Sequence, residues 1–347
     1  MGSTRGRADR PDRSVTMRDV ARATGVSQST VSRVLSGTAS AVPIASDTRQ
    51  RVLAEAARMG YEPNPLARAL RGAPMMLLGL IVREITDPFF ATAVEAISTE
   101  ARLHGYNVVL GTAHGRAEEA IELRAVLETR HCDALVLIGD MRDQPRMLED
   151  LLHAHVPVVA MWQGSALRGI PMVNIDNRAG IRAALDHLHG LGHRRIALVG
   201  GHPFAAIGER RAAYRDWTEE HGLAVPDGYV QLRSNEPAGG EAALEALLAL
   251  PDPPTAIVCT TDLIAVGVLH AAAARGVSVP RDLSVTGFDD LPLSAHLVPA
   301  LTTLRMPIRV MAARAVGIAI GDQVAPTGEE CLEPELIVRR STAPPAR

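Results

Sequence analysis

Gln28, Ser29, Ser32 and Arg33 share one short stretch with Val31, Val34 and Leu35. The three apolar residues recur at the i, i+3, i+4 spacing of a buried helical stripe, which leaves the four polar ones on other faces. Donors and acceptors of this kind suit base edges in a major groove, and an arginine fork matches guanine O6 and N7. Such a helix has to be seated. Upstream, Thr16 and Asp19 have the T-x-x-D spacing of a capping box, and Val20 and Ala21 supply a small apolar face. Gly25 can take φ > 0 between two helices, Val26 seats the turn and Ser27 stands where the second helix needs its N-cap. Thr16 to Gly37 therefore reads as two short helices joined by a tight turn, with a plain helical hairpin as the alternative.

Other chemistries are poorly served. No G-x-G-x-x-G or Walker sequence follows a strand, and Gly200-Gly201 lacks the spacing. His153/His155 and His187/His189 are i, i+2 pairs, which a helix puts on different faces, so neither makes an H-x-x-x-H metal site. Cys132, Cys259 and Cys331 are far apart and odd in number; the first two adjoin apolar runs and read as buried thiols. No cofactor is implied.

Charge is divided unevenly. Residues 1–72 hold twelve arginines and six carboxylates, a net of +6, which leaves 24 basic and 33 acidic residues, a net of -9, in the remainder. A basic module on an acidic body fits a partner made of phosphates. All basic residues are arginine, which we read as compositional bias. With 347 residues, 47% of them hydrophobic, the chain has material for two or three domains. There is no run of eighteen apolar residues, and residues 1–14 are polar and read as a disordered basic arm, so a cytoplasmic protein without membrane contact is expected.

After a loop from Thr38 to Ala45, a third helix is expected over Asp47 to Met59 with the stripe Val52, Leu53, Ala56 and Met59, ended by Gly60; Tyr61 would help close a small core. In YEPNPLARALRG, residues 61–72, Asn64 is an N-cap, Pro65 sits at N1 and Gly72 is a stop. So short a helix is unstable alone and should form only when something packs on Leu66 and Leu70. From Met76 onward, short β-branched runs (77–82, 107–110, 134–138, 156–161, then 196–200, 256–260, 283–288) alternate with amphipathic helices. Two βαβ series imply two doubly wound lobes of parallel sheet, whose ligands bind at the carboxyl ends of strands. The tail beyond Pro334 has no leucine heptad for an added oligomerisation helix.

Residues 16–72 closely resemble the DNA-binding headpiece and hinge of the LacI/GalR family of bacterial regulators, in TMRDVARATGVSQSTVSRVLSG and YEPNPLARALRG. DPFF (87–90), VNIDN (173–177), GHRRIALVGG (192–201), TTDLIAVGVL (260–269), LSVTGFDD (283–290) and LTTL (301–304) extend the resemblance over nearly all of 15–340. It implies an α helix-turn-helix headpiece (15–62), a hinge helix (63–73) and an α/β two-lobed periplasmic-binding-protein-like domain (74–340). The N-lobe is expected at about 74–165 and 291–325 and the C-lobe at about 166–290 and 326–340. It also implies a homodimer on a near-palindromic DNA operator, controlled by a small-molecule effector, a sugar or related polyol.

Carried over by motif, Gln28, Ser29 and Arg33 would read bases, and Thr16, Thr30 and Ser32 would contact phosphates. Asn64 would cap the hinge helix, and Leu70, with Ala67 beside it, would be the wedge inserted at a central base step. The loop before the third helix is longer than usual in the family, with Ala45 at the usual serine, which leaves Ser46 or Asp47 to cap it. In the body, Phe89 and Phe90 would form an aromatic wall, or pack as an ordinary helix start. Trp162 would stack on a ring, Arg210 clamp the ligand and Asp289 accept from its hydroxyl or amine groups. Asp262 is either a ligand contact or a helix cap; Thr261 beside it replaces the family's asparagine, and Phe204 stands where purine-binding relatives carry arginine. The rivals are an enzyme on a doubly wound fold and a secreted solute-binding protein, which would share the body but have no use for residues 15–72.

Overall fold

The structure, a computed structural model, describes residues 15–36, 43–61, 74–113, 132–141, 145–153, 156–162, 169–201 and 205–346. The chain divides into two compact units, residues 1–75 and 76–347.

In the first unit, α1 (Met17–Thr24), α2 (Gln28–Ser36) and α3 (Ser46–Arg58) enclose a small core. The Asp19 carboxylate accepts from the backbone N–H of Thr16 at 3.0 Å and from its hydroxyl at 2.6 Å, fixing the entry of α1. Gly25 ends that helix at φ 69°, and Ser27 Oγ accepts from the backbone N–H of Thr30 at 3.1 Å to cap α2. Val20, Ala21, Val31, Val34, Val52 and Ala56 are buried together, with Met59 and Tyr61 packed against them. Two expectations are corrected. Leu53 is 45% exposed, because Val52 and Ala56, one turn apart, aim the helix inward and rotate their neighbour out. The cap of α3 is Ala45, with no side-chain bond; Ser46 and Asp47 already lie inside the helix and do not replace it.

Among the described residues, the second unit holds two six-stranded sheets. The first has the order β11-β5-β4-β3-β1-β2, from β1 (Leu77–Val82), β2 (Asn107–Thr112), β3 (Ala134–Ile138), β4 (Val158–Met161), β5 (Met172–Ile175) and β11 (Glu329–Leu332). All its pairings are parallel. The second has the order β12-β10-β9-β8-β6-β7, from β6 (Ile196–Gly201), β7 (Val230–Arg233), β8 (Ala256–Cys259), β9 (Ser284–Asp289), β10 (Thr302–Arg305) and β12 (Glu335–Ile337); only β12 runs antiparallel. Strands β3, β8 and β9 are buried along their whole length, as expected of parallel strands covered by helices on both faces.

Among the described residues, the α-helices of this unit are α4 (Pro88–Leu103), α5 (Pro145–His153), α6 (Asn177–Gly190), α7 (Ala205–Glu220), α8 (Pro237–Leu248), α9 (Asp262–Ala274) and α10 (Ile308–Ala319). Strand order corrects the expected lobe boundaries. Residues 172–175 and 329–332 belong to the N-lobe sheet, whereas 302–305 belong to the C-lobe sheet. The chain thus passes between lobes three times, after β5, after β10 and after β11. These passages are neighbours, because β5 pairs with β11 and β10 pairs with β12. The strands the sequence did not mark are three or four residues long and lie where alternation has no room to show. Cys132 and Cys259 are buried, as expected.

Candidate functional site

On α2, Gln28 and Ser29 are exposed, while Thr30, Ser32 and Arg33 are half-buried. The Ser29 and Thr30 hydroxyls lie 2.7 and 2.9 Å from that of Ser27, so the first turn of α2 carries a cluster of hydroxyls. No acidic residue stands in that turn, which keeps the positive end of the helix dipole available to a phosphate. Thr16, at the start of α1, is half-buried and tied to Asp19. Asn64, Ala67 and Leu70 lie outside the described residues, as do Phe204 and the expected helix over 117–130.

The second site is a cleft of about 540 Å³ in the two-lobed unit. Its residues come from the carboxyl ends of strands in both sheets: Arg83 and Glu84 after β1, Asp140 after β3, Trp162 after β4, Asn235 and Glu236 after β7, Thr261 after β8 and Asp289 at the end of β9. This is where a doubly wound sheet leaves a crevice. The N-lobe side holds an aromatic cluster beside Arg83, Glu84, Asp87 and Asp140. Phe89 stands edge-on to Phe90 with ring centroids 5.2 Å apart and to Trp162 at 4.9 Å. Gly139, at φ 95°, lets the wall close up, since a Cβ there would sit 3.0 Å from the Phe90 ring. Asp87 caps α4 by accepting from the backbone N–H of Phe89 at 2.9 Å, which fixes where both phenyl rings start.

The C-lobe side sets polar groups beside Ala206, Ile207, Leu263 and Met306. Arg210, 4% exposed, projects from α7 with its guanidinium 3.5 Å from the centroid of the Phe288 ring. Its Nε donates to Asn177 Oδ1 at 2.7 Å and its Nη1 to the Thr260 carbonyl, so two of its five N–H donors are committed within the chain. Burial draws its pKa down to about 10 against the pull of Asp289, Glu209 and Asp262, which leaves it charged at neutral pH. Burial pushes the Asp289 carboxyl well up, opposed by Arg210 and aided by Asp262 and Asp87. Asp289 and Trp162 have φ of 122° and 58°; both line the cleft, and backbone strain in non-glycine residues collects at such sites.

Asn235 spans the cleft. It donates to Asp87 Oδ2 at 3.3 Å on the N-lobe side and accepts from Thr261 Oγ1 at 2.8 Å on its own. The Thr261 hydroxyl also caps α9 by accepting from the backbone N–H of Ile264 at 3.4 Å. Asp262 is corrected: it neither lines the cleft nor caps the helix. Wholly buried, its carboxylate accepts from the Leu291 backbone N–H at 2.9 Å and from the Ser294 and Thr303 hydroxyls, tying α9 to the segment after β9 and to β10. Phe89, Phe90, Trp162, Arg210 and Asp289 do come together around one space. Asp87, Asn177 and Asn235 were not singled out. The first two stood inside the DPFF and VNIDN motifs, but Asn235 follows a four-residue strand that left no mark in the sequence.

Residues 16–64 match the family model of bacterial regulatory proteins of the lacI family, and residues 185–342 match that of a periplasmic binding protein-like domain. The HTH-type transcriptional regulator GalS of Salmonella typhimurium is 34% identical over 343 residues, 95% of this chain and 97% of that protein. Among solved structures, a lac repressor dimer bound to operator and the anti-inducer ONPF is similar with a TM-score of 0.83 at 25% identity, covering 95% of this chain and 100% of that one. The complex of the transcriptional regulator CelR with cellobiose is similar at 0.67 and 29% identity, covering 94% and 99%. At such identity to transcriptional regulators, not enzymes, over nearly its whole length, the chain belongs to the LacI family of bacterial regulatory proteins, DNA-binding transcriptional regulators that respond to a small molecule.

Proposed function

We propose that the protein is a cytoplasmic repressor that binds a near-palindromic operator as a homodimer and releases or tightens its hold when a sugar or related polyol occupies the cleft. In this reading Gln28, Ser29 and Arg33 read base edges, Thr16, Thr30 and Ser32 hold phosphates, and the hinge at 63–73 is capped by Asn64 and places Leu70, with Ala67 beside it, as a minor-groove wedge. Phe89, Phe90 and Trp162 take the apolar face of the effector, while Arg210 and Asp289 bond its hydroxyls.

The observation that carries the reading is the gathering of an aromatic cluster and buried polar groups around a single cleft, the mixture that a ring with C–H faces and an equator of hydroxyls requires. The cellobiose held by CelR supports it. An effector that prefers one lobe arrangement shifts the population toward it, and that preference sets the change in DNA affinity. The test is footprinting on the DNA flanking the protein's own gene, with and without candidate sugars. Protection of a palindromic site that changes with a sugar is expected; the absence of any protected palindrome would refute the proposal.

A further inference from the structure

We infer that Asn235 is a catch across the cleft: its side-chain amide, turned by Thr261 toward the opposite lobe, holds the Asp87 carboxylate and biases the two lobes toward their closed arrangement. The consequence for regulation rests on the effector-site reading above, whereas the catch itself does not. Asp87 lies between β1 and α4 in the N-lobe, Asn235 follows β7 in the C-lobe and Thr261 follows β8 there. All three line the cleft.

The polarity of the amide is fixed by its neighbours. The Thr261 hydroxyl oxygen accepts from the Ile264 N–H at 3.4 Å, and its proton goes to Asn235 Oδ1 at 2.8 Å. That turns Nδ2, which carries two donors, to Asp87 Oδ2 at 3.3 Å. The reversed amide would set its oxygen against a carboxylate oxygen, so the network favours one orientation. Asp87 is held as well. Its Oδ1 accepts from the Phe89 N–H at 2.9 Å, which leaves Oδ2 for the other lobe. Burial disfavours the Asp87 charge, so a donor brought to Oδ2 replaces hydration the carboxylate has lost. The result is one polar chain that runs from the first turn of α4, through Asp87, Asn235 and Thr261, to the first turn of α9.

Packing keeps Asn235 from drawing back. A Cβ at Gly201, the last residue of β6, would lie 2.8 Å from Asn235 Cβ and 3.2 Å from its Cα, so the strand backbone stands directly against the asparagine. When the lobes part, amide and carboxylate both return to water, which makes the catch a modest bias and not a lock. A modest bias is enough to move a population. An effector that fits the closed cleft inherits it, and one that needs the lobes wider works against it.

The test is hydrogen exchange, read by mass spectrometry on the full-length protein without any sugar. Asn235→Asp keeps the shape and the acceptor for Thr261 but sets an oxygen against Asp87. Asp87→Asn keeps an oxygen to cap α4 but sets a donor against the Asn235 donor. Each single substitution is expected to speed exchange in both 84–92 and 234–240, that is, in both lobes, by at least about fivefold. The two together exchange donor and acceptor, and should return both segments to within about twofold of the wild type. Strands β3 and β8 report whether the fold is intact. If a single substitution loosens them too, Thr261→Val takes its place: it frees the amide to turn without touching Asp87, and should speed 84–92 in the same way. Unchanged exchange of 84–92 in Asn235→Asp, or a double variant as fast as the single ones, overturns the catch. Because no effector is present, the catch can fail while the sugar-effector reading stands, and a failed footprint leaves the catch untouched.

Discussion

Replacing Asp262 by asparagine should remove a pH-dependent destabilisation of the effector domain. The carboxyl is wholly buried, and burial raises its pKa from 3.8 to about 6 in spite of bonds from Ser294, Thr303 and Leu291. A shift of this size, at about 1.4 kcal/mol per pKa unit, makes the ionised form cost about 3 kcal/mol relative to the protonated one. The sign follows from proton binding. Below about pH 4 both states carry the proton and this carboxyl costs the domain nothing. Between about 4 and 6 the unfolded chain loses the proton while the folded one keeps it, so stability falls as pH rises, and above the folded pKa the loss is complete. His187 and His193, whose pKa values burial lowers, impose the opposite slope, because their stabilisation is lost as pH falls. They are common to both proteins and cancel in the difference. Urea unfolding from pH 4 to 7.5, followed by intrinsic fluorescence, reads this cleanly, since the only two tryptophans, Trp162 and Trp217, both lie in the two-lobed unit. The stability of the wild type minus that of Asp262→Asn should fall by about 3 kcal/mol across the window. The asparagine's altered hydrogen bonding adds a constant offset, and loss of the Asp262 charge relieves the upward push on Asp289, which changes the difference in the same direction. Parallel curves, or a difference that rises with pH, would refute the argument.

Leu70→Ala should weaken operator binding far more than nonspecific binding, and equal losses in a titration of both DNAs would contradict a wedge. Arg33→Ala should cost about 1 to 3 kcal/mol of discrimination at one base pair per half-site; an unchanged base preference in a selection from random DNA would remove it from the readers. Arg210→Met leaves Asn177 Oδ1 and the Thr260 carbonyl without their donor and Asp289 without its nearby positive charge. Unfolding should show a loss of about 3 to 5 kcal/mol together with lost effector binding; full stability with normal binding would count against its role in the cleft.

The headpiece was legible because its cues are local. Thr16 with Asp19, Gly25, Ser27 and the Val31–Val34 stripe each act within one turn of the chain, and the structure realises them. The central strands were legible because burial on both faces forces a continuous apolar run, as in β3 and β8. The lobe boundaries were not. Residues 172–175 pair with β4 and β11, and 302–305 with β9 and β12, so the sheet each joins is set by its pairings on both sides, which a four-residue run does not announce. Asp262 was misassigned for a similar reason. Its position at the start of α9 was readable, but its partners, Leu291, Ser294 and Thr303, are about thirty to forty residues further on.

The three adjacent passages between lobes limit what a bound molecule can communicate. Three covalent tethers side by side restrain twisting and sliding more than a single one would, which leaves rocking about the line they define as the least hindered motion. With such tethers, how far the lobes are open is the coordinate that an occupant of the cleft can change most readily. Ligands of different shape then act as agonists or antagonists along a single axis. Sequence drift in the cleft can change which molecule is sensed without redesigning how the answer is delivered.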